Sequence, residues 1–351
     1  MNRFVVLDGI RGVAALFVVT RHTEIFFGYS FFRSYLAVDL FFILSGFVIA
    51  YAYEEKLKNG IITLHKFIII RLIRLYPIYF ISLIFSALVL IHTLDLHHNF
   101  STEKVINICY FMGMTALFLP THMIGSLSLF PINGAYWSLL FELTSNILYA
   151  IFRPILSNNI LFLIVIFSEI MIVLSAHHHG SLDIGFHWGA WSIFSGFFRS
   201  IFGVFIGILL YRYKDTIPNL HGRYKFFIPY ISIFIIGLIL LSPSAGKFNA
   251  IIDIFIVTGI FPFLVVLASQ GENKKLEYTL LILGSASYAI YVLHAPVGQL
   301  ISIILKDNIG SNAPISGIVL ILFLITFYVF LEKQYDIPIR RYLSNSFIRI
   351  K

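Results

Sequence analysis

Charge is scarce in this chain: of its 351 residues, 12% are Asp, Glu, Lys or Arg and 59% are hydrophobic. A soluble domain carries about a quarter charged residues, so a water-soluble globule is excluded. Cysteine is nearly absent. The single Cys109 rules out an intramolecular disulfide and any CxxC-type metal or redox site, and it reads as a small buried hydrophobe. No polar stretch is long enough to fold as a separate soluble domain, so residues 1–351 are expected to form one integral-membrane unit. An internal repeat is lacking too, which counts against an inverted-repeat transporter. Low-complexity sequence is confined to His177, His178 and His179. Neighbours on a regular element point apart, so no metal site is expected there or elsewhere.

Long apolar runs are what the chain has instead, with a mean hydropathy of +0.90. Eleven are visible, at 12–28, 35–53, 67–93, 104–119, 135–152, 159–176, 189–211, 226–242, 249–269, 278–303 and 314–332. Their length and lack of alternation exclude a barrel and predict an all-α, polytopic bundle of transmembrane helices in the lipid bilayer. Asp8 and Arg11 interrupt the first run and no small-residue cleavage site follows, so the start is not expected to be a cleaved leader. The formal charge of +8 needs no nucleic-acid partner, because basic loops serve membrane orientation. Suppose that 104–119, the shortest run, does not cross and that the N-terminus is cytoplasmic. The loops then hold sixteen Lys and Arg inside, among them Arg3, Arg153, Arg212, Arg340, Arg349 and Lys351, and four outside, Arg33, Lys104, Lys247 and Lys306; if it crosses, the ratio becomes six to fourteen. The positive-inside rule therefore predicts about ten spanning helices plus one re-entrant or interfacial segment. Both termini are expected on the cytoplasmic side of the inner (plasma) membrane.

Five basic residues remain inside the runs: Arg11, Arg21, Arg71, Arg74 and Arg199. Each is costly in hydrocarbon and should face protein or water with a partner. In LDGIRGVAALFVVTRH (7–22), Arg11 and His22 are eleven residues apart. At about 100° per residue they share a helix face, separated by roughly 16 Å of rise. Asp8 lies one turn before Arg11 and can pair with it. Arg21 points off that stripe and is expected to pair with Asp39 or Glu24. Arg71 and Arg74 share a face at i, i+3 in FIIIRLIRLYPIYF, at the depth of Arg11. Three guanidinium groups without nearby carboxylates suit a polyphosphate, and Pro77 can bend the helix beside them.

Two carboxylates fall near the expected depth of His22. Asp39 opens VDLFFILSGF, in which Ser45-Gly46 permits close packing, and Glu142 sits in YWSLLFE after Trp137, a residue type common at interfaces. Either carboxylate could orient a base, and Glu142 could alternatively pair with Arg199. LGSASYAIYVLH carries Ser287, Tyr288, Tyr291 and His294 on a later run, and Glu332 ends the last one, where a charge is unremarkable.

These five motifs, in this order, resemble the membrane-bound acyltransferase-3 family, which includes O-antigen acetylases and enzymes acylating exopolysaccharides, peptidoglycan, Nod factors and some macrolides. The resemblance covers nearly the whole chain. Its most specific parts are an Arg separated by ten residues from a His in the first helix and the Arg-x-x-Arg of the third. It implies transfer of an acyl group, usually acetyl, from cytoplasmic acyl-CoA to a carbohydrate hydroxyl. It also implies Arg11 and His22 as essential residues and Arg71 with Arg74 as the basic pair. Arg21 departs from the aliphatic residue usual before the helix-one His, and a hydrolase-like domain of the kind some members carry is not expected here.

Acetyl-CoA is thus the expected donor, its phosphates on Arg11, Arg71 and Arg74 and its arm rising through one water-accessible channel towards His22. His22 is expected to take the proton of the acceptor hydroxyl, with Glu142 or Asp39 fixing its tautomer. A relay through an acyl-histidine is equally compatible with the sequence. A flippase of lipid-linked sugars, or an acyltransferase acting on a small molecule or lipid, are the alternatives.

Overall fold

A computed structural model describes residues 4–94, 101–305 and 308–348. Arg3, Lys306, Arg349 and Lys351, which enter the loop-charge argument, lie outside those residues. In chain order the α-helices are α1 (Val5–His22), α2 (Glu24–Phe27), α3 (Ala37–Lys58), α4 (Leu64–Thr93), α5 (Thr102–Ala116), α6 (Tyr136–Phe152) and α7 (Asn158–His179). They continue with α8 (Ala190–Tyr213), α9 (Gly222–Leu241), α10 (Asn249–Phe255), α11 (Phe261–Ser269), α12 (Glu277–Leu305), α13 (Ile315–Leu331) and α14 (Ile337–Phe347). A π-helical turn, Ile256–Ile260, joins α10 to α11, and a second, Glu332–Asp336, joins α13 to α14. No named strand occurs among the described residues.

The helix starts follow local chemistry. Thr63, Ser101 and Ser157 each accept a hydrogen bond from the backbone N–H three residues on, which caps α4, α5 and α7. Eight helical stretches are long and apolar enough to cross a membrane, among the described residues. An all-α polytopic bundle results. Helix α1 misses that group because it carries Asp8, Arg11 and Arg21, and α6 because it has 17 residues; both have buried faces inside the bundle. Helix α5 has only 15 residues, about 22 Å of rise against roughly 30 Å of hydrocarbon. It is moored to α4 by the Tyr76 and Tyr79 hydroxyls, which donate to the carbonyls of Ala116 and Thr115 at 2.9 and 2.6 Å. Cys109 on this helix is exposed, contrary to the buried position expected of it.

Helix α3 lies at the centre, with 72% of its apolar window buried, whereas α9 and α13 line the periphery at 28% each. Two close crossings position the polar groups. Helix α1 packs along α12, with Gly12 against the Leu283 backbone and Gly284 against Asp8. Helix α3 packs along α8, where a Cβ on Gly46 would sit 1.9 Å from the Val204 carbonyl oxygen. Helices with no hydrophobic drive between them associate through such small-residue contacts. Gly46→Val is accordingly expected to lower Tm in detergent sharply, since overpacking a tight contact costs about 1–3 kcal/mol or more. Gly237→Val, at a position with open space around it, is the control. Equal Tm values for the two variants would contradict the close crossing.

Candidate active site

Two cavities open along the α1–α12 crossing. The first, about 290 Å³, is lined by Arg11, Arg71, Arg74 and Arg340 together with Glu142, Glu332, Ser45, Ser138 and Tyr291. Arg11 is held by α12: its Nε donates to Ser287 Oγ at 2.9 Å and its Nη2 to the Gly284 carbonyl at 3.1 Å, while Asp8 pairs with it at 3.0 Å. Arg71 is 4% exposed. Its Nη2 lies 3.4 Å from Glu142 Oε1, which also accepts from Ser45 Oγ at 2.6 Å. The Arg71 Nε is buried without a hydrogen-bond partner among the described residues. Arg74 is exposed to the cavity and makes no hydrogen bond or ion pair there, among the described residues. A buried N–H left unsatisfied and an unpaired guanidinium fit an anionic ligand, since both donors gain from an oxyanion that water cannot match in a protein wall.

The second cavity, about 600 Å³, is lined by His22, Glu24, His92, Thr93, Gln299 and Ser302 among apolar residues. His22, the last residue of α1, is exposed and faces this space. Its Nδ1 lies 3.2 Å from the Val18 carbonyl oxygen and 3.1 Å from His294 Nε2. The shared face of Arg11 and His22 thus runs against Ser287 and His294 of α12.

The two cavities share no lining residue. Where the sequence predicts one continuous channel, the structure has two cavities with separate linings. Tyr291, which lines the first cavity, and His294, which contacts His22 of the second, stand with ring centroids 6.2 Å apart. Tyr291 is locked by its hydroxyl, which contacts Ser138 Oγ and donates to the Ala135 carbonyl, and by an edge contact with Phe41 at 5.5 Å.

Neither carboxylate proposed as the orienter of His22 reaches it. Asp39 is 1% exposed and grips Arg199, with Oδ1 accepting from Nε at 2.9 Å and Oδ2 from Nη2 at 2.6 Å. Arg199 also donates to the Ile184 carbonyl and lies over the Trp137 ring at 5.4 Å, so Trp137 is buried rather than interfacial. Glu142 is in the arginine cavity, paired with Arg71 and not with Arg199. Arg21 pairs with Asp183, not Asp39 or Glu24, and its guanidinium lies 5.3 Å from the Tyr35 ring centroid. Burial explains these choices: a charge withdrawn from water must take the partner that tertiary packing brings, wherever it lies in sequence.

Sequence reasoning misses Arg340, which it places in a cytoplasmic loop. It projects from α14 into the first cavity and pairs with Asp336 at 2.7 Å, an i,i+4 spacing that the sequence did display. Glu332 lines the same cavity and accepts from Tyr328 at 3.0 Å. Arg33, counted as an outer-loop charge, is buried against Asp253, Asn249 and Ser242. Arg153 and Arg212, also counted in loops, share the buried Glu54 at 2.9 and 2.7 Å. His178 stacks on Trp191. Among the described residues, no group of three His, Cys, Asp or Glu side chains is placed to hold a metal ion.

Comparison with known proteins agrees with the motif order. The acyltransferase-3 family, described as an acyltransferase domain, matches residues 4–331. "Protein 2 in picA locus" of Rhizobium radiobacter is 44% identical over 160 residues, 42% of this chain and 82% of that protein. No solved structure is significantly similar. With a match that runs through every helix lining the two cavities except α14, the chain belongs to the acyltransferase-3 family and is a multi-pass membrane acyltransferase.

Proposed function

We propose that this protein is an O-acyltransferase that moves an acyl group, acetyl in the simplest case, from acyl-CoA to a hydroxyl of an extracytoplasmic or lipid-linked carbohydrate. One observation carries the reading: α1 joins an arginine-lined cavity holding an unpaired guanidinium to an exposed imidazole in a separate cavity. The excess of basic loops supports assigning the arginine end to the cytoplasm, with both termini there. Arg74, Arg71 and Arg11 then receive the phosphates of the donor, and Arg340 adds a fourth cation. Arginine suits phosphate because its planar fork donates two parallel hydrogen bonds.

At the other end, Glu24, His92, Gln299 and Ser302 offer polar groups to sugar hydroxyls on an otherwise apolar wall. His22 takes the proton of the acceptor hydroxyl as its oxygen attacks the thioester carbon. The C–O bond forms, the C–S bond breaks, and the thiolate leaves with the proton returned by the imidazolium. Tyr291 is the side chain that must swing aside for the thioester to reach His22, a gating step of the kind common in enclosed sites. The apolar wall of the second cavity favours a lipid-linked sugar as the acceptor over a free one.

The test uses purified protein, acetyl-CoA labelled in the acetyl group, and carbohydrate extracted from the envelope of the producing cells. Label is expected in the carbohydrate; a flippase would leave it in the thioester and overturn the proposal. Arg74→Ala is the clean probe of the donor site, because no partner is stranded by its removal. It is expected to weaken CoA binding by about tenfold, the value of one charge-assisted contact of roughly 1.5 kcal/mol, with Tm unchanged. Arg71→Ala would be a poorer choice, since it also strips Glu142 of its cation. Unchanged affinity of Arg74→Ala in a titration with CoA would remove Arg74 from the donor site.

A further inference from the structure

His294 is 0% exposed on α12, and its ring stands 5.0 Å from that of His22, centroid to centroid. Three short contacts connect the pair. His294 Nδ1 lies 3.0 Å from the Ile290 carbonyl oxygen, His22 Nδ1 lies 3.2 Å from the Val18 carbonyl oxygen, and His294 Nε2 lies 3.1 Å from His22 Nδ1. A carbonyl oxygen only accepts, so the hydrogen of His294 sits on Nδ1. A neutral imidazole has one N–H, which leaves His294 Nε2 as a lone pair. Two lone pairs cannot face each other at that distance, so His22 Nδ1 carries a hydrogen and shares it between Val18 and His294. The basic nitrogen of His22 is then Nε2.

Reversing the pair fails. A hydrogen on His294 Nε2 donated to His22 Nδ1 would point the bare His294 Nδ1 at the Ile290 oxygen and the bare His22 Nδ1 at the Val18 oxygen. Both contacts would become repulsive. A doubly protonated His294 would bury a charge with no carboxylate in hydrogen-bond contact among the described residues, which is costly.

We infer that His294 is a positioning residue for the transfer reaction: it fixes His22 as the Nδ1–H tautomer, so that Nε2 serves as the base in the second cavity. This rests on the reading of His22 as the base. When Nε2 takes the acceptor's proton, the Nδ1–H becomes a donor on a cation, and its two acceptors, the His294 imine nitrogen and the Val18 carbonyl, strengthen their hold. A neutral imidazole and a carbonyl thus do here what the aspartate does in a Ser-His-Asp triad. Asp39 and Glu142 are engaged elsewhere and leave that position to His294.

Three variants of the full-length protein test this in the labelled acetyl-CoA assay: His294→Leu, which has no acceptor; His294→Gln, whose amide oxygen can replace Nε2; and His22→Ala. His294→Leu is expected to lower kcat roughly 100-fold, in the range of lost outer partners of catalytic histidines. Its KM for acetyl-CoA should stay as in wild type, and His294→Gln should recover at least a tenth of the wild-type kcat, about the smallest loss such partners show. Should His22→Ala be inactive while His294→Leu keeps its kcat, the inference fails and the base assignment stands. Equal loss in His294→Leu and His294→Gln, both folded, also overturns it, because an acceptor would then not be what is required. Solid-state NMR of 15N-histidine-labelled protein gives a readout free of activity. The signal pair lost in His22→Ala must show a protonated Nδ1 and a bare Nε2, and the opposite pattern refutes the assignment.

Discussion

His22→Ala is expected to lower acyl transfer by roughly 10²–10⁴-fold, the contribution of a positioned general base. Nothing else about the molecule should change much. His22 ends α1, is exposed and lines the second cavity, so its loss leaves no core void. The first cavity does not include it, and binding of CoA there should match wild type. The bond that His22 donates to His294 is lost as well, but His294 Nε2 then faces space that water can reach, which limits the cost of leaving it unpaired. Three measurements separate the outcomes: labelled acetyl transfer, CoA affinity by titration, and Tm in detergent. An inactive variant with wild-type affinity and Tm assigns His22 to the chemistry. Retained transfer would remove it from the mechanism and with it the role argued for His294.

Where the sequence speaks clearly, it does so through one-dimensional physics. Run length and hydropathy reveal the all-α membrane class, and the shortest run gives one of the shorter helices, the 15-residue α5. Helical periodicity puts Arg11 and His22 on one stripe, and both contact α12 as a stripe should, through Ser287 and His294. Partner choice is another matter. Asp39 and Arg199 are 160 positions apart and Arg33 and Asp253 are 220, distances over which no local pattern operates. Depth alone made Asp39 and Glu142 look like neighbours of His22, because depth fixes one coordinate and leaves the angle around the bundle open. Arg340 and Arg33 read as loop charges for a related reason: loop assignment presumes that what lies outside an apolar run lies in water. The separation of the two cavity linings has no signal in the sequence, since a tyrosine in a helix reads the same whether it stands between two cavities or lines one.

The largest effect on folding is expected at Asp39. Asp39→Ala leaves the Arg199 guanidinium, 1% exposed at its side chain, without its anion. Breaking one partner of a buried ion pair costs about 3–5 kcal/mol, enough to unfold a marginal protein. The variant should be recovered in low yield with a strongly reduced Tm. The double variant Asp39→Leu with Arg199→Met is the informative companion. Replacing both members of a buried pair by apolar residues is often close to neutral, since neither charge then has to be desolvated. Here recovery should be incomplete. The Ile184 carbonyl loses the donor that Arg199 provided, at about 1–3 kcal/mol, and Trp137 loses the cation over its ring. Neither Asp39 nor Arg199 lines either cavity. Transfer activity per folded molecule in the double variant is therefore expected to stay within a few-fold of wild type. That ratio distinguishes the two roles open to Asp39. If the double variant folds, binds CoA and yet transfers nothing, Asp39 acts on the reaction and not only on the packing of α3 against α8. A positive coupling between the two substitutions, Tm higher in the pair than in either single change, is the signature of a scaffold ion pair.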